Sequence, residues 1–253
     1  MRLTVIGCAG SFPGPDSPAS CYLVAHEGFA VLLDLGSGAL GPLQRHADLR
    51  TLDAVALSHL HADHCLDMTS LYVARRYHPE GPPARRVAVH GPRGTRDRIA
   101  AAYRAQRGER GPDLEATFAF ADLVEGTPVG VGPFTMRVAR VAHPVPAYAI
   151  RLEAGGRSLV YSGDTGPCPA LVELSRGADL ALFEASCLDG GDNPPDLHMT
   201  AAQAAGQARA AGAASLLLTH LVAWNDPQQS WAQARAEFEG ELALAAPGMV
   251  VDL

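Results

Sequence analysis

Three imidazoles and a carboxylate fall within six residues: His59, His61, Asp63 and His64. A chain with ten histidines in 253 residues rarely gathers three of them this way, and the grouping is a metal-binding signature. Neutral imidazoles with a carboxylate suit Zn²⁺ and, less exclusively, Mn²⁺ or Fe²⁺. His59 and His61, two apart on extended backbone, point the same way and can grip one cation. Asp63 and His64 lie where the chain begins to turn into a helix, so they can face a second cation beside the first. Cys65 follows directly and reads as a small buried neighbour rather than a ligand.

Such a motif needs a rigid support. The apolar run at residues 52–57 reads as a buried strand, so the motif leaves the strand's C-terminal end, where ligands converge in α/β sheets. A two-cation centre needs more than four ligands, and other strand ends supply them. His143 closes a strand read at 134–142, Asp164 follows one at 157–161 inside a Gly-flanked turn, and His220 follows one at 215–219. Asp34, in the turn Asp34-Leu35-Gly36-Ser37-Gly38, either orients a ligating imidazole or shapes the turn.

Further strands are read at 3–8, 20–25, 29–33, 87–90, 114–120, 147–152, 180–184 and 249–253, with a hairpin at Gly28. Helices are read at 39–46, 66–77, 95–107, 171–176, 200–211 and 228–244. Thr200 with Gln203 reads as a capping box, placing His198 just ahead of a helix. The loop at 9–19 holds three Pro, two Gly and two Ser, and offers Ser11, Phe12, Asp16 and Ser17 to a pocket. Tyr77, His78, Tyr148 and Trp224 are further candidates for its wall. No repeat or low-complexity linker divides the chain, so one domain spanning 1–253 is expected, β-rich first and α/β later.

With 47% hydrophobic residues the chain can bury a large core. No apolar run approaches ~20 residues, and a strand follows Met1-Arg2 at once, so no membrane partner and a cytoplasmic location are expected. Five scattered cysteines without a Cys-x-x-Cys pair suggest neither a disulfide framework nor a zinc ribbon, and reduced thiols are expected. The net charge of −7 argues against a protein that coats long nucleic acid, while a small anionic substrate remains compatible. A homodimer is compatible too. All twenty basic residues are Arg, and ten lie between Arg75 and Arg110 against Glu80, Asp97 and Glu109. That island reads as a solvated face or as a rim attracting phosphate.

The ordered set His59, His61, Asp63, His64, His143, Ser162-Gly163-Asp164-Thr165 and Leu218-Thr219-His220 resembles the metallo-β-lactamase superfamily along nearly the whole chain. The resemblance implies an αββα sandwich, two mixed β-sheets face to face with helices outside. It also implies two divalent metal ions, with His59, His61 and His143 on one, Asp63, His64 and His220 on the other, and Asp164 bridging them. An Asp at the bridge, where β-lactamases have Cys, sets the chain nearer the phosphodiesterase and hydrolase branches.

The segments Phe183-Glu184-Ala185-Ser186 and Leu197-His198-Met199-Thr200 resemble the tRNase Z branch, implying Glu184 and His198 as a catalytic pair with His198 as general acid. Two departures separate the chain from tRNase Z itself. Only twenty residues lie between His143 and Asp164, where that family inserts a tRNA-clamping arm, and Leu221-Val222-Ala223-Trp224-Asn225 lacks its Ser-x-Arg-Tyr ending.

The stretches Leu3-Thr4-Val5-Ile6-Gly7-Cys8-Ala9-Gly10-Ser11, Arg75-Arg76-Tyr77-His78-Pro79 and Pro194-Pro195-Asp196-Leu197-His198 are similar to small actinobacterial atypical class II cyclic-nucleotide phosphodiesterases. That likeness implies hydrolysis of a small phosphodiester, with 3′,5′-cyclic AMP first, and Asp63 orienting the attacking water. An acyl hydrolase such as a lactonase or thioesterase, and a tRNA 3′-end endonuclease, are the alternatives.

Overall fold

The computed structural model describes residues 1–106, 108 and 111–253. Its fourteen described strands form two seven-stranded sheets. The first sheet takes β1 (Arg2–Gly7), β2 (Cys21–His26), β3 (Phe29–Leu33), β4 (Ala54–Ala56), β5 (Val87–Gly91), β6 (Phe118–Asp122) and β14 (Val250–Asp252), in the order β14-β1-β2-β3-β4-β5-β6. The second takes β7 (Val129–Val131), β8 (Phe134–Arg140), β9 (Tyr148–Ala154), β10 (Arg157–Tyr161), β11 (Leu180–Glu184), β12 (Ser215–Thr219) and β13 (Glu241–Leu244), in the order β13-β12-β11-β10-β9-β8-β7.

Each sheet is antiparallel on one side and parallel on the other. β3 to β6 run parallel in the first, and β10 to β13 in the second. Parallel strands are covered on both faces and read as continuous apolar runs. β11 shows why: Leu180 and Leu182 enter the core between the sheets, while Ala181 and Phe183 face outward against helices.

The central layer joins Leu3, Val5, Tyr22 and Val31 of one sheet to Phe134, Ile150, Leu159 and Leu182 of the other. Outside the first sheet pack α1 (Leu40–Leu43), α2 (Ala62–Cys65), α3 (Met68–Arg76) and α4 (Thr95–Tyr103). Outside the second pack α5 (Pro169–Leu174), α6 (Ala201–Ala211) and α7 (Pro227–Glu237). The result is the αββα sandwich that the resemblance implied.

Several boundaries differ from the sequence reading. The helix read at 228–244 is α7 followed by β13. Phe238 takes an extended conformation and buries its ring, and Glu241–Leu244 then pairs in parallel with β12. Its Leu242 and Leu244, two apart, carry the strand period, but four residues directly after a helix are too short for that alternation to mark a boundary. The strand read at 114–120 begins as a 3₁₀ turn, Leu114–Ala116, and β7 escaped notice because a three-residue Val-Gly-Val strand carries too short an alternation. The helix read at 39–46 is trimmed to α1. Of the helix read at 95–107, the described part ends at Tyr103, and residue 107 lies outside the described residues.

Candidate metal centre

β4 is wholly buried and delivers His59 to its C-terminal edge. His61 is the extended N-cap of α2, φ −67° and ψ 155°, so Asp63 and His64 open the helix as the spacing predicts. β10 delivers Asp164 through Gly163, whose φ is +58°; a Cβ there would lie 2.8 Å from the Ser58 Cβ, so only glycine lets the two loops meet. His143 follows β8 and His220 ends β12.

All seven predicted ligands come together in two overlapping groups, His59, His61, His143 and Asp164, and Asp63, His64, Asp164 and His220. Within the first, His61 Nδ1 lies 3.1 Å from His59 Nε2 and 3.2 Å from His143 Nε2. Within the second, His64 Nε2 lies 3.1 Å from Asp164 Oδ1 and 3.3 Å from Asp63 Oδ2, and His220 Nε2 is 3.5 Å from Asp164 Oδ2.

The opposite ring nitrogens fix which atoms face inward. His64 Nδ1–H donates to Asp34 at 2.7 Å, His59 Nδ1–H to Ser58 Oγ at 3.1 Å, His143 Nδ1–H to the Leu197 carbonyl at 3.0 Å, and His220 Nδ1–H to Ser20 Oγ at 3.0 Å. The Nε2 atoms of these four rings therefore face the cluster, while His61 presents its Nδ1. Burial pushes His59, His143 and His220 below the ordinary imidazole range, which keeps them neutral.

His64 Nε2 and Asp164 Oδ1 are buried without a hydrogen-bond partner although they face each other. With Nδ1–H given to Asp34, the facing His64 Nε2 and Asp164 Oδ1 are satisfied by a positive charge between them, a proton on Nε2 in the metal-free protein or a divalent metal ion in its place. Burial opposes charge on His64, yet Asp164 and Asp34 outweigh it and raise its pKa; burial likewise opposes charge on Asp164, and His220, His64 and His59 outweigh it. These residues fit a metal centre.

Asp34 orients the site from behind. It is fully buried at φ +58° and accepts from the Ser58 amide, the Ser58 hydroxyl, the Tyr161 hydroxyl and His64, each at 2.7 Å. Described non-glycine residues with positive φ are few, and Ser11, Asp34 and His220 of that set touch the centre. Backbone strain collects at functional sites in this way. Sequence reasoning missed Ser20 and Tyr161; each acts through contact with a distant strand that no local pattern announces.

Glu184 and His198 meet beside the cluster. His198 Nδ1–H donates to Glu184 Oε1 at 2.8 Å, and Glu184 also accepts from the Thr165 and Ser186 amides. Glu184 with His198 and Asp164 could also hold an ion. The carboxylate is already committed to three donors, which favours a proton-handling pair. Burial works against charge on His198, but the Glu184 hydrogen bond and charge raise its pKa to about 9. The capping box of Thr200 and Gln203 is present and fixes the entry to α6.

Other candidates are distributed differently. Trp224 packs at a tilt against Phe12, whereas Tyr77 and His78 line a separate surface hollow with Gln44 and Pro79, and Tyr148 packs against the central core. Cys65 is buried against helices, its thiol raised to about 11 by burial. Much of the basic island is structural. Arg75 is buried and donates to the carbonyls of Leu49, Arg50 and Arg85; Arg85 pairs with Asp53, and Arg96 with Asp97 and Glu115. Arg98 reaches the Leu60 carbonyl inside the metal loop. Arg107, Glu109 and Arg110 lie outside the described residues.

Two face-to-face sheets with overlapping His and Asp ligand groups at their shared edge define a metal-dependent hydrolase of the αββα class. Residues 30–221 match the beta-lactamase superfamily domain, and the chain belongs to the metallo-β-lactamase superfamily, in its tRNase Z-like branch. It is 45% identical over 255 residues to an uncharacterized protein of Mycobacterium leprae, covering 100% of this chain and 89% of that one. Identity to the probable metallo-hydrolase YhfI of Bacillus subtilis is 31%, covering 99% of each chain; the YhfI crystal structure superposes with a TM-score of 0.87 over 99% of this chain and 98% of that one. Identity to a ribonuclease Z of Mycobacterium bovis is 31%, covering 96% of this chain and 94% of that one. Among the described residues no helix is long and apolar enough to cross a membrane.

Proposed function

We propose that the chain, working as one unit over 1–253, is a phosphodiesterase that hydrolyses a small anionic phosphodiester, 3′,5′-cyclic AMP first among candidates. The observation that carries this reading is the Glu184–His198 pair, 2.8 Å apart and adjoining the ligand Asp164. Such a pair serves a poor alkoxide leaving group, which needs a proton; an activated ester needs none.

His59, His61 and His143 would hold one cation and Asp63, His64 and His220 the other, with Asp164 reaching both. Zn²⁺ is the first candidate from the donor set, with Mn²⁺ and Fe²⁺ next. When bound, two such cations polarise water and neutralise charge building on the phosphoryl oxygens. Asp63, at the more open side of the cluster, accepts a hydrogen bond from the attacking water and aims it in line with the leaving oxygen. His198 gives its Nε2 proton to the departing 3′-oxygen while its Nδ1–H stays on Glu184. The imidazole is thereby kept charged until transfer and held in one orientation.

Cleavage of tRNA 3′ ends is the second reading, favoured by the 31% identity to a ribonuclease Z. Against it, residues 144–163 are taken up by β9, β10 and their short connections, leaving no inserted arm there. Incubating metal-loaded protein with cyclic AMP, pre-tRNA and a lactone separates these readings. Conversion of cyclic AMP to 5′-AMP is expected, and turnover of pre-tRNA or lactone alone would remove the proposal.

A further inference from the structure

The ends of the metal ligands reach one rim that is unlike the others. The segment leaving β1 is zipped to the segment leaving β12: Ala9 bridges Leu221, and the Gly10 amide donates to the Leu221 carbonyl at 3.0 Å. A Cβ at Gly10 would lie 2.4 Å from the His220 carbonyl oxygen, so the two backbones touch. Ser11 then turns through φ +62° and aims its amide at His220 Nε2, 3.2 Å away. Chain geometry puts the next Cα, that of Phe12, no more than about 8.5 Å from that nitrogen. The Phe12 ring meets the Trp224 ring at a centroid distance of 5.1 Å and 40°. Both stay open to solvent, Trp224 at 73% exposure and Phe12 at 39%. Asn225 anchors the partner segment by donating to the Ser186 carbonyl at 2.7 Å.

Two exposed rings held against each other beside a metal ligand call for an occupant. Residues 188–197, which lead into His198, expose Asp189, Asp192 and Asp196 and hold no aromatic side chain to stack on. We infer that Phe12 and Trp224 form a stacking subsite for the nucleobase of the phosphodiester substrate. This rests on the phosphodiester reading for placing the phosphate at the cations. The bound of about 8.5 Å from His220 Nε2 to the Phe12 Cα keeps the backbone that carries the aromatic pair within one small ligand's reach of the cluster. An aromatic face accepts a planar base with little regard to sequence, so the subsite would favour a base over none more than one base over another.

The chain has two tryptophans, and the Trp231 ring lies against Arg235 on α7. Trp231→Phe therefore leaves Trp224 as the sole tryptophan, read by exciting at wavelengths that tyrosine does not absorb. Titrating that metal-loaded variant with 5′-AMP should quench its fluorescence, while ribose 5-phosphate should not. Phe12→Ala should weaken the 5′-AMP response by about tenfold and Phe12→Tyr should restore it. In parallel, Trp224→Ala should raise KM for cyclic AMP by a similar factor with kcat held, and leave KM for base-free ribose 3′,5′-cyclic phosphate unchanged.

Equal quenching by 5′-AMP and ribose 5-phosphate, or none by either, would overturn the subsite, as would quenching by a long-chain lactone with none by 5′-AMP. Selective quenching by 5′-AMP in a protein that hydrolyses no cyclic nucleotide would uphold the nucleobase subsite while removing the cyclic-nucleotide reading.

Discussion

The two sheets serve the metal centre in opposite ways. The first contributes one dense segment: His59, His61, Asp63 and His64 all leave β4 on a single loop and helix start, and Asp34 at the end of β3 holds them. The second contributes single residues from separate exits, His143 after β8, Asp164 after β10, Glu184 at the end of β11 and His220 after β12, with His198 entering from the connection to α6. A dense segment moves as one body, so damage to its support is felt by several ligands together. Scattered exits can be altered one at a time, and there the identity of the reaction can vary while the metal remains.

Substitutions on the two sides should therefore behave differently. The largest effect is expected for Asp164→Ala, the one ligand that both groups share. Hydrolysis should fall at least about a thousandfold and bound metal, read by atomic emission, should fall with it. Retention of both metals would break the view that this residue joins the two groups.

Asp34→Asn comes next, because asparagine tolerates the left-handed backbone but turns a donor toward four donors. Metal affinity should drop about 10- to 100-fold, and stability by about 1–3 kcal/mol in denaturant titration. Unchanged metal affinity would mean the first sheet's loop needs no common support.

His198→Ala should keep the metal and lose about 100- to 10,000-fold on cyclic AMP, with a much smaller loss on bis-p-nitrophenyl phosphate, whose leaving group needs no proton. Equal losses on the two substrates would end the general-acid assignment. With His198 as the proposed proton donor, activity requires its charged form, so the wild-type rate should fall as pH rises through its pKa. Glu184 overcomes burial to raise that pKa to about 9 in the metal-free protein, and nearby cations bring it lower. The alkaline limb therefore belongs at or below about 9 and should vanish in His198→Ala. The smallest effect is expected for Ser20→Ala, which removes the acceptor of the His220 Nδ1–H: about tenfold in metal affinity, measured by competition with a chelator.

The same contrast explains what the sequence could reveal. His59 to His64 was legible because extended spacing followed by a helix start fixes directions within a few residues. Asp164 and His220 were legible because each follows an apolar strand at a turn. Asp34 stood open between two roles, since only the fold brings β3 against His64 and Tyr161. Ser20 carried no local signal, and Ser11 was marked only by its long Pro-rich loop; the contacts of both to His220 span the two sheets. The strand β13 was lost in an overlong helix because the alternation of Leu242 and Leu244 spans only four residues directly after α7. Arg75 read as part of a charged surface, and only burial shows it holding three carbonyls.

The central claim is a metal centre that hydrolyses a phosphodiester with His198 as proton donor. Metal-loaded wild-type protein and His198→Ala, assayed side by side on cyclic AMP and bis-p-nitrophenyl phosphate, test it most directly. The account predicts 5′-AMP from the wild type and a loss in the variant confined largely to cyclic AMP. A wild-type protein that leaves both phosphodiesters intact would contradict it.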